Sequence, residues 1–293
     1  MDPARLSDGD LARRLQGDAA EEAFTALYHR YVRAVFDFVG RTVRDLAAAE
    51  DITQRAFIQA WEQRAALRDP DAVKPWLYRI ASNLALNHVT RAREATDIDA
   101  VASIVEAPDP QPEAQALAEE AARLVWDAAA SLEPRQRTVL ELAVRAELTS
   151  PEIVQVMEIE PAQASLLVHR AKEALGNAVR YLLVARRRTH CERLAEMVPA
   201  GVLQLTAEQR ASVDRHMRRC ESCQGMAKRL TSPEALLGSL VMLPLPRSLE
   251  HPPHLRLTAA TIGAGASSTA TVTTPAWRSA AHNVARFYGT GCG

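Results

Sequence analysis

As far as about position 230 the chain places apolar side chains three and four apart, and no stretch alternates them two by two. Ala23, Leu27, Tyr31, Val35 and Phe38 form one such stripe. Ile52, Ala56, Phe57, Ala60 and Trp61 form a second, and Trp76, Leu77, Ile80 and Leu84 a third. These spacings return to one side of a helix on every turn, so each stripe marks a face to be buried. With no Val/Ile-rich alternation, strands are not expected and the fold class is all-α. The loop RAALRDPDAVKP separates the last two stripes, marked by Asp69-Pro70 and closed by Pro75 at a helix start. Residues 1–94 are therefore expected to form a helical bundle.

The pattern breaks at Ala107-Pro108-Asp109-Pro110-Gln111-Pro112, where three prolines at alternate positions remove backbone donors and oppose a helix. The surrounding segment, 95–122, has Asp97, Asp99, Glu106, Asp109, Glu113, Glu119 and Glu120 and no base. It reads as an acidic flexible linker between two folded parts, or as an acidic strip that competes with nucleic acid for a basic groove. Beyond it, residues 123–188 begin with a helix at Leu124–Ser131, and Pro134 opens another. Thr149 or Ser150 is placed to cap a short helix with Pro151 and Glu152 in its first turn. After a break at Glu158–Glu160, Pro161 starts a long helix that ends in Arg186, Arg187 and Arg188. A short helix, a tight turn and a longer basic helix make a helix-turn-helix pattern.

Overall charge conceals this arrangement. The 35 Lys and Arg against 36 Asp and Glu argue at first against a nucleic-acid binder. Without the linker the balance is 35 bases to 29 acids, and the bases are clustered. Lys74, Arg79, Arg91 and Arg93 share residues 74–93 with no acid, and residues 161–188 have six bases against Glu173 alone. An apolar fraction of 47% excludes a wholly disordered chain, and no apolar stretch reaches membrane-spanning length. MDPARLSDGDLARRL has no apolar core of a secretory signal, so a cytoplasmic location with no membrane partner is expected.

Two stretches carry a family resemblance. AEDITQRAFIQAWEQR (49–64) followed by WLYRIASNLALNHVTRAR (76–93) resembles region 2 of the small, extracytoplasmic-function sigma-70-type initiation factors. LEPRQRTVLELA…SPEIV…VHRAKEAL (132–175) resembles their region 4 helix-turn-helix, so the likeness covers roughly residues 20–185. It implies core RNA polymerase and promoter DNA as partners. Asp51, Gln54, Arg55 and Gln59 would dock on the β′ clamp helices, and region 4 would meet the β flap. Trp76, Arg79, Asn83, Asn87, Arg91 and Arg93 would face the −10 element, with Trp76 read as a core anchor in preference to a stacking wedge. Asn suits paired hydrogen bonds to adenine edges and Arg suits phosphates. The Leu67–Pro75 loop would hold an unpaired −10 base.

Region 4 departs from the family pattern. Glu158 stands where the family turn has Gly, so a differently shaped turn is expected. Ser165, Leu166 and Leu167 stand where a basic–Ser–basic triplet reads bases, while His169, Arg170 and Lys172 are better placed for phosphates. Each missing bidentate base contact removes roughly 1–3 kcal/mol of discrimination. Weakened −35 readout through Ser165, His169, Arg170 and Lys172 is therefore expected, and a protein contact by the same helix stays open.

The cysteines point to metal chemistry. His216-x3-Cys220-x2-Cys223 follows Cys191 with 24 residues between Cys191 and His216. Two thiolates two residues apart bite one ion, and a His one turn earlier projects to the same side. Cys191 would complete a Cys3His zinc shell, with His190 the rival fourth ligand. Such a closed shell is structural, although oxidation of its thiolates would make it a redox switch. No HExxH or comparable constellation suggests an enzyme, and Cys292 is read as incidental. The arrangement resembles the zinc-binding anti-sigma domain, placed at 189–230, with Thr206–Gln209 as a capping box. The tail, 231–293, is expected to be mostly disordered, with Leu236, Leu237, Leu240 and Val241 packing on a partner helix or on the sigma-like part.

The reading is a sigma factor with a fused zinc-binding regulatory domain. Residues 190–245 would cover region 2 or region 4, using Leu166 and Leu167 as an apolar landing. The alternative is a non-initiating binding protein that sequesters polymerase or a sigma factor.

Overall fold

The computed structural model describes residues 3–95, 124–202, 205–227 and 242–253, and every regular element among them is helical. Helix α1 (Asp8–Arg14) starts where the Ser7 side chain accepts the Asp10 N–H. Helix α2 (Ala20–Val43) ends at Arg44, whose left-handed backbone (φ 65°) turns the chain, and the Asp45 carboxylate then caps α3 (Leu46–Glu62). Two short 3-10 turns, Arg64–Ala66 and Pro70–Ala72, lead into α4 (Val73–Ala95). The three expected stripes meet in one core. Tyr28, Phe57, Tyr78, Val35 and Ile52 are almost fully buried there, and Phe24 and Tyr28 pack edge-on against Phe57.

Residues 96–123, which take in all of the linker but Ala95, lie outside the described residues, and α5 (124–130) and α6 (Pro134–Leu140) follow. Helix α6 continues into a π turn at Glu141–Arg145. Helix α7 (Ser150–Met157) opens on a capping box between Thr149 and Glu152, and α8 (Pro161–Arg186) completes the helix-turn-helix. The turn between them is not reshaped as expected: Glu158 itself adopts the left-handed conformation (φ 51°, ψ 49°) that Gly would take without strain. Helices α9 (Glu192–Met197), α10 (Ala207–Met217) and α11 (Glu221–Ala227) follow, with the Thr206/Gln209 capping box present at α10.

The expectation of two separately folded parts does not extend to their cores. Leu142, Ala146, Leu148, Ile153 and Val156, all beyond the linker, are buried in the same cluster as α2, α3 and α4. A second cluster joins α5, α6 and α8 to Leu194, Val198, Val213 and Cys223 of the last three helices.

Polar ties reinforce the seam between the N-terminal bundle and the helix-turn-helix. Asp37, on α2, accepts from Arg41 on the same helix (3.0 Å) and from Arg145 of the π turn (2.8 Å), with both arginines buried or nearly so. Arg137 donates to the Thr42 carbonyl (3.2 Å) as well as to Ala129, Ala130 and Leu132 in its own half. The guanidinium of Arg41 lies 4.9 Å from the Trp126 ring centre and that of Arg44 5.7 Å.

The tail also departs from expectation where it is described. Leu249 is fully buried against the first core, and Leu243 and Leu245 pack on it. Leu236, Leu237, Leu240 and Val241, for which packing was expected, lie outside the described residues, as does Cys292.

Candidate functional site

Helix α4 has two contrasting sides. Trp76, Leu77, Ile80, Ala81 and Ala85 are buried, whereas Asn83, Asn87 and Arg91 are exposed at four-residue intervals. That interval keeps an amide, an amide and a guanidinium on one face, available to base edges and phosphates. Trp76 is only 8% exposed, so it anchors the helix in the core and offers no open ring face. Arg79 is partly covered because α7 packs on α4, and its guanidinium lies 3.6 Å from Glu158 in the helix-turn-helix turn. The side chain of Arg93 lies outside the described residues.

On α3, Asp51 and Arg55 are exposed and form an i,i+4 ion pair at 2.9 Å, with Gln54 and Gln59 half-buried beside them. This polar strip lies opposite the buried Ile52, Ala56 and Ala60. In the 3-10 turn between α3 and α4 (Pro70–Ala72) the Asp69 carboxylate accepts the Asp71 N–H, which fixes the loop that enters α4.

On α8, Ser165, His169 and Arg170 are exposed and Lys172 is half-buried, with His169 3.7 Å from Glu173. Leu166 is 46% exposed, while Leu167 packs on the second core. The C-terminal helices do not land on Leu166. Helices α10 and α11 pack on α8, and Val213 and Cys223 share the second core with Ala178, Val179 and Leu182 of its later turns. Polar ties fix that contact: the Tyr181 hydroxyl donates to Asp214 (2.8 Å) and Arg210 donates to the Ser131 carbonyl (2.8 Å).

Cys191, His216, Cys220 and Cys223 converge, with all four ligand atoms within 4.8 Å of one another. Nε2 of His216 lies 3.4 Å from the Cys191 sulfur and 3.3 Å from the Cys223 sulfur. Tetrahedral zinc with Zn–S near 2.3 Å and Zn–N near 2.0 Å would set S···N at about 3.5 Å, so these residues fit a closed four-ligand shell and could hold a metal ion. His190 is exposed and contacts the Arg187 carbonyl, so the structure brings Cys191 to the cluster in its place. A backbone N–H from Cys223 pushes the Cys220 thiol down, whereas burial pushes Cys223 up to about 12. The four positions come from three local structures: the N-cap of α9, the last turn of α10, and the first turn of α11 with the residue before it.

Sequence reasoning missed the seam. The i,i+4 pairs Asp37/Arg41 and Glu141/Arg145 within apolar helices were the available signal, because charges on a buried face need partners. Among the described residues no helix is long and apolar enough to cross a membrane.

Comparison with known proteins agrees with this architecture. The family described as Sigma-70 region 2 matches residues 27–95, which span most of α2, all of α3 and all of α4. The RNA polymerase sigma-H factor of Pseudomonas aeruginosa is 32% identical over 186 residues, 60% of this chain and 95% of that protein. The ECF RNA polymerase sigma-E factor of Escherichia coli is 32% identical over 191 residues, 61% of this chain and 97% of that protein. A probable RNA polymerase sigma factor of Xanthomonas campestris, RfaY, is 33% identical over 140 residues, 46% of this chain and 34% of that protein. With two such relatives matched nearly end to end, and helices α2 to α4 arranged as described, the chain belongs to the extracytoplasmic-function group of the sigma-70 family of RNA polymerase sigma factors.

Proposed function

We propose that this sigma factor binds core RNA polymerase through the exposed strip of α3, at Asp51, Gln54, Arg55 and Gln59. It directs the enzyme to promoters whose −10 element meets α4. The observation that carries this is the row of Asn83, Asn87 and Arg91, free to solvent on a helix whose other side is packed from Trp76 to Ala85. Asn side chains that hydrogen-bond neither the core nor a neighbouring helix are placed for paired contacts to base edges. Helix α8 contributes phosphate contacts through His169, Arg170 and Lys172, with weakened −35 readout because Leu166 and Leu167 offer no donors.

In the same proposal Cys191, His216, Cys220 and Cys223 hold a structural zinc, and the helices they organise regulate the factor. The donor set supports zinc: three soft thiolates and one imidazole suit it over magnesium or calcium. When bound, the ion would offset most of the charge on the three thiolates and cross-link α9, α10 and α11. The regulatory reading is supported by the packing of these helices on α8 through Tyr181–Asp214 and the second core.

Promoter-dependent transcription with added core enzyme tests the proposal, alongside binding of a −10 single strand. Asn83→Ala with Asn87→Ala is expected to lower strand affinity by at least about 30-fold, from two contacts of roughly 1–3 kcal/mol each, while core binding persists. Core binding with no strand recognition in the parent chain would support the sequestering alternative. Equal transcription under zinc-replete and chelated conditions would remove the regulatory part and leave the initiation part standing.

A further inference from the structure

The groove between α2 and α3 is occupied by a segment of the same chain. We infer that residues 242–250 are an intrachain strap whose seating in this groove holds the bundle and the helix-turn-helix closed on each other. Three contacts seat it. The Tyr28 hydroxyl donates to the Leu249 carbonyl at 2.7 Å in a buried position, and the Leu249 side chain is fully buried. The Leu243 N–H donates to Asp37 at 2.8 Å. Leu243 also lies so close to Gly40 that a Cβ there would come within 2.6 Å of its Cδ1, so the absent side chain opens the groove at that point. A 3-10 turn at Arg247–Leu249 shapes the segment, closed by the Leu249 N–H on the Pro246 carbonyl (3.0 Å).

Asp37 couples strap to seam. Its Oδ1 takes Arg41 and the strap's Leu243 N–H, and its Oδ2 takes Arg41 and the seam's Arg145. A carboxylate buried to 4% exposure requires donors, and the strap both supplies one and keeps water from Asp37, which holds its pair with Arg145 in low dielectric. Release of the strap lets water reach Oδ1 in place of the Leu243 N–H and uncovers the apolar groove, and the higher local dielectric weakens the grip on Arg145. The strap does not cover the exposed Asp51 and Arg55 on α3, so its effect falls on the seam and leaves the strip proposed for polymerase open.

Hydrogen exchange on the full chain tests this, comparing the parent with Leu243→Asp/Leu245→Asp/Leu249→Asp. Three buried or half-buried carboxylates cannot remain in the groove, so the amides of Leu243 and Leu249 should lose protection. Amides at 37–43 and 141–157 should then exchange at least about tenfold faster, with those at 175–185 in the second core unchanged. A freed strap with an unchanged seam overturns the inference, as does a strap still protected in the triple variant. If that variant unfolds, Tyr28→Phe decides, since it keeps the ring and removes one hydrogen bond. About a threefold acceleration at the seam is expected, and none refutes the coupling. The consequence for promoters rests on the function proposed above, whereas the exchange measurement does not. A chain whose strap gates the seam but which fails at promoters would separate the two failures.

Discussion

Replacing Arg145 by Met should loosen the seam without disturbing the bundle. Arg145 is 10% exposed and Asp37 4%, so the pair lies in a low-dielectric site. Two hydrogen bonds reach Asp37 from its guanidinium, at 2.8 and 3.1 Å, and its Nε lies 3.6 Å from Glu141. Breaking a buried pair by removing one partner costs roughly 3–5 kcal/mol. Arg41 stays on Asp37 and part of the charge remains compensated, so the lower end, about 3 kcal/mol, is the expected loss. At 1.4 kcal/mol per decade this opens the seam roughly a hundredfold more often. Hydrogen exchange of the π turn and α7 reads that change directly, and Arg55→Ala, which breaks the exposed Asp51 pair, should shift stability by less than about 1 kcal/mol. The cycle of Asp37→Asn, Arg145→Met and the double variant should give a coupling of about 2 kcal/mol. A coupling near zero, with all variants folded, would refute the idea that this pair joins the two parts.

Burial raises Glu141 to about 7, opposed by Arg41, Arg145 and Arg137 and aided by Asp37. A carboxyl whose folded value lies above its unfolded 4.5 binds more protons when folded, so stability falls as pH rises from about 4.5 to 7. Urea midpoints of the parent and Glu141→Gln should diverge across that window, by on the order of 3 kcal/mol in total, and parallel curves would contradict it. Glu158→Gly should stabilise the chain by about 1 kcal/mol, since relief of the left-handed strain exceeds the value of an exposed pair with Arg79. A lower urea midpoint would show that the pair dominates. Metal analysis should find one zinc per chain in the parent and none in Cys223→Ser, with chelation lowering helical circular dichroism as α10 and α11 lose their cross-link.

Local chemistry was legible in the sequence wherever one segment determines its own form. The stripes of α2, α3 and α4, the capping residues Asp45 and Thr206, and Pro161 at the start of α8 each act through neighbours within a turn or two. The metal cluster was nearly legible for the same reason, because His216, Cys220 and Cys223 share a single helix junction. Choosing Cys191 over His190 required knowing which way the chain leaves the 3-10 turn at Arg188–His190, a tertiary property. The seam and strap were hidden because they depend on residues far apart in sequence. Asp37 meets Arg145 across 108 positions and Leu243 across 206, and no local pattern encodes those pairings. Glu158 shows the opposite case: a local cost of about 1–2 kcal/mol argues for a differently shaped turn, yet Glu158 adopts the left-handed backbone because the surrounding packing outweighs that cost.

The closed seam bears on how such a chain would engage a promoter. Elements centred near −10 and −35 are 25 positions apart, about 85 Å along duplex DNA at 3.4 Å per base pair. Here the helices proposed to address them nearly touch, since Arg79 of α4 lies 3.6 Å from Glu158, three residues before the start of α8. No placement of this closed form satisfies both elements. The acidic linker read from the sequence, 28 residues from 95 to 122, reaches at most about 95 Å when extended, enough for the separation. Its length therefore suits the open form, while the Asp37 cluster and the strap serve the closed one. The free energy of parting them includes the apolar burial of Leu142, Ala146, Leu148, Ile153 and Val156 as well as the donors around Asp37, so binding to polymerase has to exceed both.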